Sequence, residues 1–125
     1  MKPRKIKLKT GAEILLGRNA EDNDELMKKF KGKENVILHT VAAGSPFCVI
    51  DSCGLKPSKE EIKEAGAHCV KYSQAWRNSK SDIKVHVFTG KDVKKPFFGR
   101  KTGTWKITKK AKVIRIKKED VRKLK

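Results

Sequence analysis

The sequence Gly-Arg-Asn-Ala-Glu-Asp-Asn-Asp-Glu-Leu at residues 17–26 lies where an apolar strand pattern changes into a helical one. Asn19 can cap the helix, because an asparagine side-chain oxygen accepts hydrogen bonds from the free amides of the first helical turn. A cap does not account for Arg18, directly before it, or for Asn23, one turn into the helix. We therefore expect this stretch to carry a specific function beyond starting a helix.

Alternation and turn residues predict the elements on either side of this stretch. We expect strands at residues 5–9, 13–16, 36–39, 47–50, 83–89, 104–107 and 112–116. A short helix should run from Ala20 to about Lys31, and a long one should follow the capping box of Ser58 and Glu61 and reach about Asn78. At 125 residues the chain is predicted to be a single α+β domain, residues 1–125, with a mainly antiparallel sheet, one long helix and one short helix. Residues 117–125 form a basic tail, either a short helix or loose.

The formal net charge is +18, and its distribution along the chain is uneven. Residues 10–79 are neutral in sum, residues 1–9 carry +5, and residues 80–125 carry +13. Clustered lysine and arginine favour a polyanionic partner, because binding releases condensed counterions. Charge alone fits ribosomal RNA, tRNA, other RNA, DNA and anionic membrane equally well. If the two ends meet in the fold, they would form one basic surface.

Strand alternation places some of this charge on one side of the predicted sheet. Lys5 and Lys7 point away from the apolar residues of the first strand, and Arg115 does so in the last. Lys84 and His86 share the same alternation in the strand at residues 83–89. Lysines on exposed strands also protect sheet edges against aggregation, but edge protection does not require so large a net charge. We therefore favour a binding surface.

The remaining reactive residues form no recognisable catalytic or metal-binding motif. The three cysteines, Cys48, Cys53 and Cys69, include no Cys-x-x-Cys pair, and only three histidines are present. This spacing predicts no zinc site, no other metal and no cofactor. It predicts instead that the cysteines are buried free thiols in a reducing compartment. No pair of residues has the motif spacing of an enzyme site, so catalysis is not expected. No signal peptide or membrane span is visible, and a cytoplasmic location is expected.

Residues 17–26 closely resemble the opening signature of the NFACT-R domain, whose proteins include ribosome quality-control factors that bind stalled large subunits and tRNA. The similarity continues in order along residues 12–108. It includes Leu38-His39 with Gly44-Ser45, an alanine-rich helix ending in Tyr72-Ser73, Val87-Phe88-Thr89, Val93-Lys94-Lys95-Pro96, and Gly103. The other domains of the full-length factors do not fit in this chain, so their tail-elongating activity is not transferred. The resemblance implies an α+β module that binds RNA on or near the ribosome.

Residue chemistry and the resemblance together select the candidate binding residues. Arginine can make paired hydrogen bonds to a phosphate, although Arg18 could instead pair with Glu21, Asp22 or Asp24. Basic residues interleaved with phenylalanine in the loop at residues 90–103 suit single-stranded RNA. The candidate set is Arg18, Asn19, His39, Ser45, Lys94, Lys95, Phe97, Arg100, Lys101, Lys5, Lys7 and Arg115.

The expected partners are tRNA or rRNA, the large ribosomal subunit, and a larger NFACT-type protein, with no membrane partner. Two alternatives stay open at this point. The chain could be a protein-interaction subunit of a larger quality-control factor, or it could bind DNA.

Overall fold

The computed structural model describes residues 3–42, 44–52, 55–78, 82–94, 105–107 and 111–124. The strands are β1 (Arg4–Lys7), β2 (Glu13–Leu16), β3 (Val36–Thr40), β4 (Cys48–Asp51), β5 (Ile83–Thr89), β6 (Val93–Lys94), β7 (Lys106–Ile107) and β8 (Lys112–Ile116). The helices are α1 (Ala20–Phe30), α2 (Lys59–Lys71), α3 (Gln74–Asn78) and α4 (Lys118–Arg122), with a 3-10 turn at Gly90–Asp92. Within these stretches no helix has the length and apolar character needed to cross a bilayer.

Six strands form one sheet in the order β1-β2-β4-β3-β5-β8, and every neighbouring pair is antiparallel. Strands β6 and β7 form a separate antiparallel ladder. The α+β class with an antiparallel sheet, predicted from the sequence, is confirmed. Strands β1 and β8 are the two edges of the sheet. The basic strands β1 and β8 therefore lie on opposite edges of the sheet, about 24 Å apart at about 4.8 Å per strand spacing.

The two faces of the sheet carry separate apolar cores. On one face, which we call the inner face, α2 and α4 cover residues such as Ile14, Leu38 and Val85. Helix α2 approaches β8 closely at Gly66, since a Cβ on that glycine would stand 2.8 Å from the side chain of Ile116. On the other face, which we call the outer face, α1 and the β6–β7 ladder cover Leu15, Ile37, Val49 and Phe88, among others.

The helix predicted to reach Asn78 is interrupted. It ends at Lys71 and a new helix begins at Gln74. The Ser73 hydroxyl donates to the Val70 carbonyl at 2.7 Å, and the Gln74 amide donates to the carbonyl of Gly44 at 2.9 Å. Both bonds replace the regular helical pattern, because the Val70 carbonyl would otherwise accept from the Gln74 amide. The break ties the end of α2 to the connection between β3 and β4.

Candidate nucleic-acid interface

The signature at residues 17–26 forms the junction between β2 and α1 and attaches it to the start of β4. Asn19 is the N-cap of α1, and its Oδ1 accepts from the Asp22 amide at 2.8 Å. The Oδ1 of Asn23 accepts from the Phe47 amide at 3.1 Å, and the Gly17 amide donates to the Phe47 carbonyl at 3.2 Å. A Cβ on Gly17 would collide with the Asn23 Oδ1. Asn19 and Asn23 therefore have structural roles, with Gly17 leaving the space that Asn23 occupies, and contact of Asn19 with RNA stays a prediction.

Arg18 pairs with Asp22, one of the three acidic partners considered from the sequence. The Asp22 Oδ2 accepts from the Arg18 Nε at 2.9 Å and from its backbone amide at 3.1 Å. The hydrogen bond from the Arg18 side chain holds the pKa of the Asp22 carboxyl below its ordinary value. Asp22 is buried, whereas the Arg18 side chain is 47% exposed. The pair fixes the guanidinium in place, and contact of Arg18 with phosphate stays a prediction.

A second acidic residue of the signature is also used inside the fold. Asp24 is buried, and its Oδ1 accepts from the indole Nε1 of Trp105 at 2.9 Å. This hydrogen bond joins α1 to the segment that leads into β7. The two buried acids of the signature are thus both engaged by hydrogen bonds within the fold.

Ser45 stabilises the connection between β3 and β4. Its hydroxyl accepts from the Thr40 amide at 3.1 Å and donates to the Pro46 carbonyl at 3.0 Å. The preceding residue, Gly44, has φ +91°, a left-handed conformation that glycine adopts without strain, and it packs against Gln74. The Ser45 hydroxyl therefore already has partners within the loop, and contact with RNA stays a prediction.

His39 lies on the outer face of the sheet and is half-buried. Its Nδ1 is 2.7 Å from the Thr40 carbonyl, and since a carbonyl can only accept, Nδ1 carries the hydrogen. The ring lies 4.6 Å from the Phe47 ring, centroid to centroid. Burial lowers the pKa of His39 below its ordinary 6.5, so the imidazole is neutral at pH 7. Its register partner on β5 is His86, which places both imidazoles side by side.

A group of residues on β3, β5 and β8, which we call the outer strip, continues from His39 to the edge of the sheet. Alternation places its members on the outer face, and the list is His39, Lys84, His86, Val113 and Arg115. Lys84 and Arg115 are direct cross-strand partners, and both are exposed. Neither forms an ion pair or side-chain hydrogen bond with any residue that the structure describes. Like charges directly opposite each other destabilise a sheet unless an anion bridges them.

Lys5 and Lys7 also face outward, but they lie on β1 at the other edge of the sheet. Lys7 is paired in register with Glu13, and Glu13 with Asp51, so acidic residues surround this basic position. The charge of β1 is thus partly neutralised locally, unlike that of the outer strip. Of the three strand residues predicted to contact nucleic acid, Arg115 is therefore the better candidate, because no acidic residue lies opposite it. The binding role of all three residues stays a prediction.

Several predicted residues cannot be placed. Lys95, Phe97, Arg100 and Lys101 lie outside the described residues. The backbone of Lys94 belongs to β6, and its side chain is outside the described part of the chain.

The two thiols that the structure describes lie inside the core and are not exposed to solvent. Cys48 and Cys69 are free and buried, as predicted for two of the three cysteines. Burial raises the pKa of both thiols, that of Cys69 to about 12, so they stay protonated at neutral pH. Among the described residues no cluster of histidine, cysteine, aspartate and glutamate is arranged to hold a metal ion.

Sequence reasoning recognised the alternation of Lys84 and Arg115 but not that they face each other. Their register spans thirty-one positions along the chain, and no local pattern specifies it. It also missed Arg4, whose guanidinium lies over the ring of Tyr72 with its Cζ 4.1 Å from the ring centroid. Paired cationic and aromatic residues in distant segments give no signal before the fold is known.

Comparisons with known proteins agree with the geometry. A curated relative, the archaeal Rqc2 homolog aRqcH of Methanocaldococcus jannaschii, is 30% identical over 67 residues, which are 54% of this chain and 10% of that protein. The C-terminal part of the fibronectin/fibrinogen-binding protein from Streptococcus suis superposes with a TM-score of 0.84 at 27% identity, covering 100% of this chain and 49% of the solved one. The chain therefore spans about a tenth of the curated relative and about half of the solved structure. Residues 3–108 match the model of the NFACT protein RNA binding domain, and the chain belongs to that family.

Proposed function

We propose that this protein binds tRNA or rRNA on or near the ribosome, through the outer strip, and acts in ribosome quality control. The observation that carries the proposal is the direct pairing of Lys84 with Arg115. Two cations about 5 Å apart at their Cβ atoms repel each other in the free protein. A phosphate group between them would remove that repulsion, and both side chains are exposed and available to it.

Three further findings support an RNA partner. The matched family is described as an RNA binding domain, and the curated relative is an Rqc2 homolog. The net charge of +18 gives a long-range attraction to any nucleic acid. Because the matched family is described as an RNA binding domain, we propose binding rather than an enzymatic reaction. A ribosomal partner also implies a cytoplasmic location.

The test is the salt dependence of binding for the wild type and for the double variant Lys84→Gln/Arg115→Gln. Each phosphate contact contributes about 0.7 to 0.9 to the slope of log affinity against log salt concentration, so losing two should reduce the slope by about 1.5. Fluorescence anisotropy with labelled tRNA and with an rRNA fragment measures both slope and affinity. The matched control is Lys28→Gln/Lys59→Gln, which removes the same charge from exposed positions on α1 and α2.

Equal slopes for the outer-strip variant and the control would refute the outer strip as the interface. An affinity of the wild type that does not change with salt would refute the electrostatic reasoning altogether. Crosslinking in cells followed by sequencing of the bound nucleic acid then identifies the RNA, and recovery of DNA alone would overturn the proposal. Pull-down with and without RNase distinguishes this function from that of a protein-interaction subunit, whose partners would survive RNase.

A further inference from the structure

The boundary between α2 and β1 ends in an exposed stack of Arg4 on Tyr72. The Arg4 Cζ lies 4.1 Å from the centroid of the Tyr72 ring, and the Lys71 Nζ lies 5.6 Å from the same centroid. Tyr72 is the C-cap residue of α2 and is 38% exposed, while Arg4 is exposed on the edge strand. Two cations therefore border one accessible aromatic ring at a corner of the molecule.

The cations of this corner lack acidic partners among the described residues. Further along the same boundary, the carboxylate of Glu64 accepts from the Lys9 amide at 3.1 Å, and that of Glu61 accepts from the Thr10 hydroxyl at 2.6 Å. These acids are engaged with the turn between β1 and β2. The Arg4 guanidinium, in contrast, forms no ion pair or hydrogen bond with any residue in the described ranges.

A guanidinium that is stacked on one side but not hydrogen-bonded can still contact a ligand in two ways. Its outward plane can stack on a nucleobase, and its N–H edge can donate to a phosphate or to a base. Because Tyr72 already holds the side chain in one orientation, less conformational entropy is lost when a ligand binds. In Arg18, by contrast, the Nε is engaged by Asp22.

We propose that Arg4, positioned by Tyr72, binds an unpaired nucleotide of RNA, with the base stacked on the guanidinium and a phosphate near Lys71. This site rests on the proposed RNA-binding function and adds to the outer strip. It favours RNA that has a single-stranded segment, because bases inside a duplex are already stacked on their neighbours and cannot reach a side-chain plane.

The experiment compares two labelled RNA probes: a hairpin whose stem is closed by a non-nucleotide linker, so that it holds no unpaired base, and the same hairpin with a single-stranded 3′ extension. The wild type should bind the extended hairpin more tightly. Arg4→Lys keeps the charge but loses the planar stack, and Tyr72→Leu keeps an apolar residue but loses the ring. Each should weaken binding to the extended hairpin about tenfold, as expected for one stacked base, and leave binding to the plain hairpin unchanged.

The controls separate this site from a purely structural contact. Tyr72→Phe keeps the ring and should bind like the wild type, because the hydroxyl has no partner among the described residues. Arg122→Lys, at an exposed position on α4, tests the arginine-to-lysine change elsewhere. Unchanged binding of Arg4→Lys to the extended hairpin would overturn the inference. A lower melting temperature of Arg4→Lys or Tyr72→Leu with unchanged affinity for the extended hairpin would also overturn it. If the wild type bound neither probe, the proposed function itself would fail instead.

Discussion

Gly17 and Asn23 should depend on each other, and the structure gives the size of that dependence. A Cβ at position 17 would collide with the Asn23 Oδ1, the atom that accepts from the Phe47 amide. Gly17→Ala should therefore push the Asn23 side chain away and leave the amide of the buried residue Phe47 without this acceptor. An unsatisfied buried amide costs about 2 kcal/mol, which in a domain of this size lowers the melting temperature by roughly 8 °C.

Asn23→Ala removes the same hydrogen bond directly and should cost a similar amount. The double variant Gly17→Ala/Asn23→Ala loses that bond only once, and the new methyl group no longer meets the Oδ1. The double variant should thus be destabilised by about 2 kcal/mol rather than by about 4, and the coupling free energy should equal the value of the shared bond.

Urea unfolding of the four proteins in the cycle, followed by circular dichroism, measures these free energies. RNA affinity well below the melting temperature serves as the control and should stay near the wild-type value, because neither residue belongs to the outer strip. Additive losses from the two substitutions would refute the reasoning, since they would mean that Gly17 is not required by the position of Asn23.

Two further predictions concern helix starts. The pKa of Asp22 is lowered in the folded protein by its hydrogen bond from Arg18, so its carboxylate stabilises the fold above about pH 4 and this contribution is lost as the pH falls through the folded pKa. The difference in melting temperature between wild type and Asp22→Asn should therefore narrow below about pH 4. For the control variant, Glu21→Gln at an exposed position, the difference from wild type should be small at every pH. If the difference for Asp22→Asn stayed constant with pH, the pairing of Asp22 with Arg18 would be contradicted. Ser58→Ala removes the hydroxyl that accepts from the Glu61 amide at 3.1 Å in the capping box. It should lower the free energy of unfolding by about 1 kcal/mol, measured by thermal unfolding, without changing RNA affinity. An unchanged free energy of unfolding would mean that water replaces the cap.

Local patterns were sufficient to predict most elements of this fold. The capping box at Ser58 placed the start of α2, and period-two alternation in residues 83–89 placed β5 with its bounds. The end of α2 could not be predicted, because the helix is interrupted by the Gln74 amide bonding to Gly44, thirty positions away. Local periodicity carries no information about such a partner.

The candidate site divides in the same way. The sequence allowed Arg18 three acidic partners within one helical turn, and only the folded geometry selects Asp22. Alternation identified Lys84 and Arg115 as outward-facing, but their direct pairing depends on strand register between distant segments. The stack of Arg4 on Tyr72 joins the first strand to the end of α2 and had no counterpart in any sequence pattern.

The stretch at residues 17–26 contains four acidic residues, although the family is described as an RNA binding domain, and the structure accounts for this contrast. Asp22 accepts a hydrogen bond from Arg18, and Asp24 accepts one from Trp105. Asn23 accepts from the Phe47 amide, so all three side chains stabilise the fold. Phe47 in turn supports the ring of His39, the first residue of the outer strip. The signature thus contributes to the fold next to the outer strip, while the side chains of Lys84 and Arg115 stay exposed. On this reasoning, we expect substitutions at Asp22, Asn23 and Asp24 to act on stability and those in the outer strip to act on affinity.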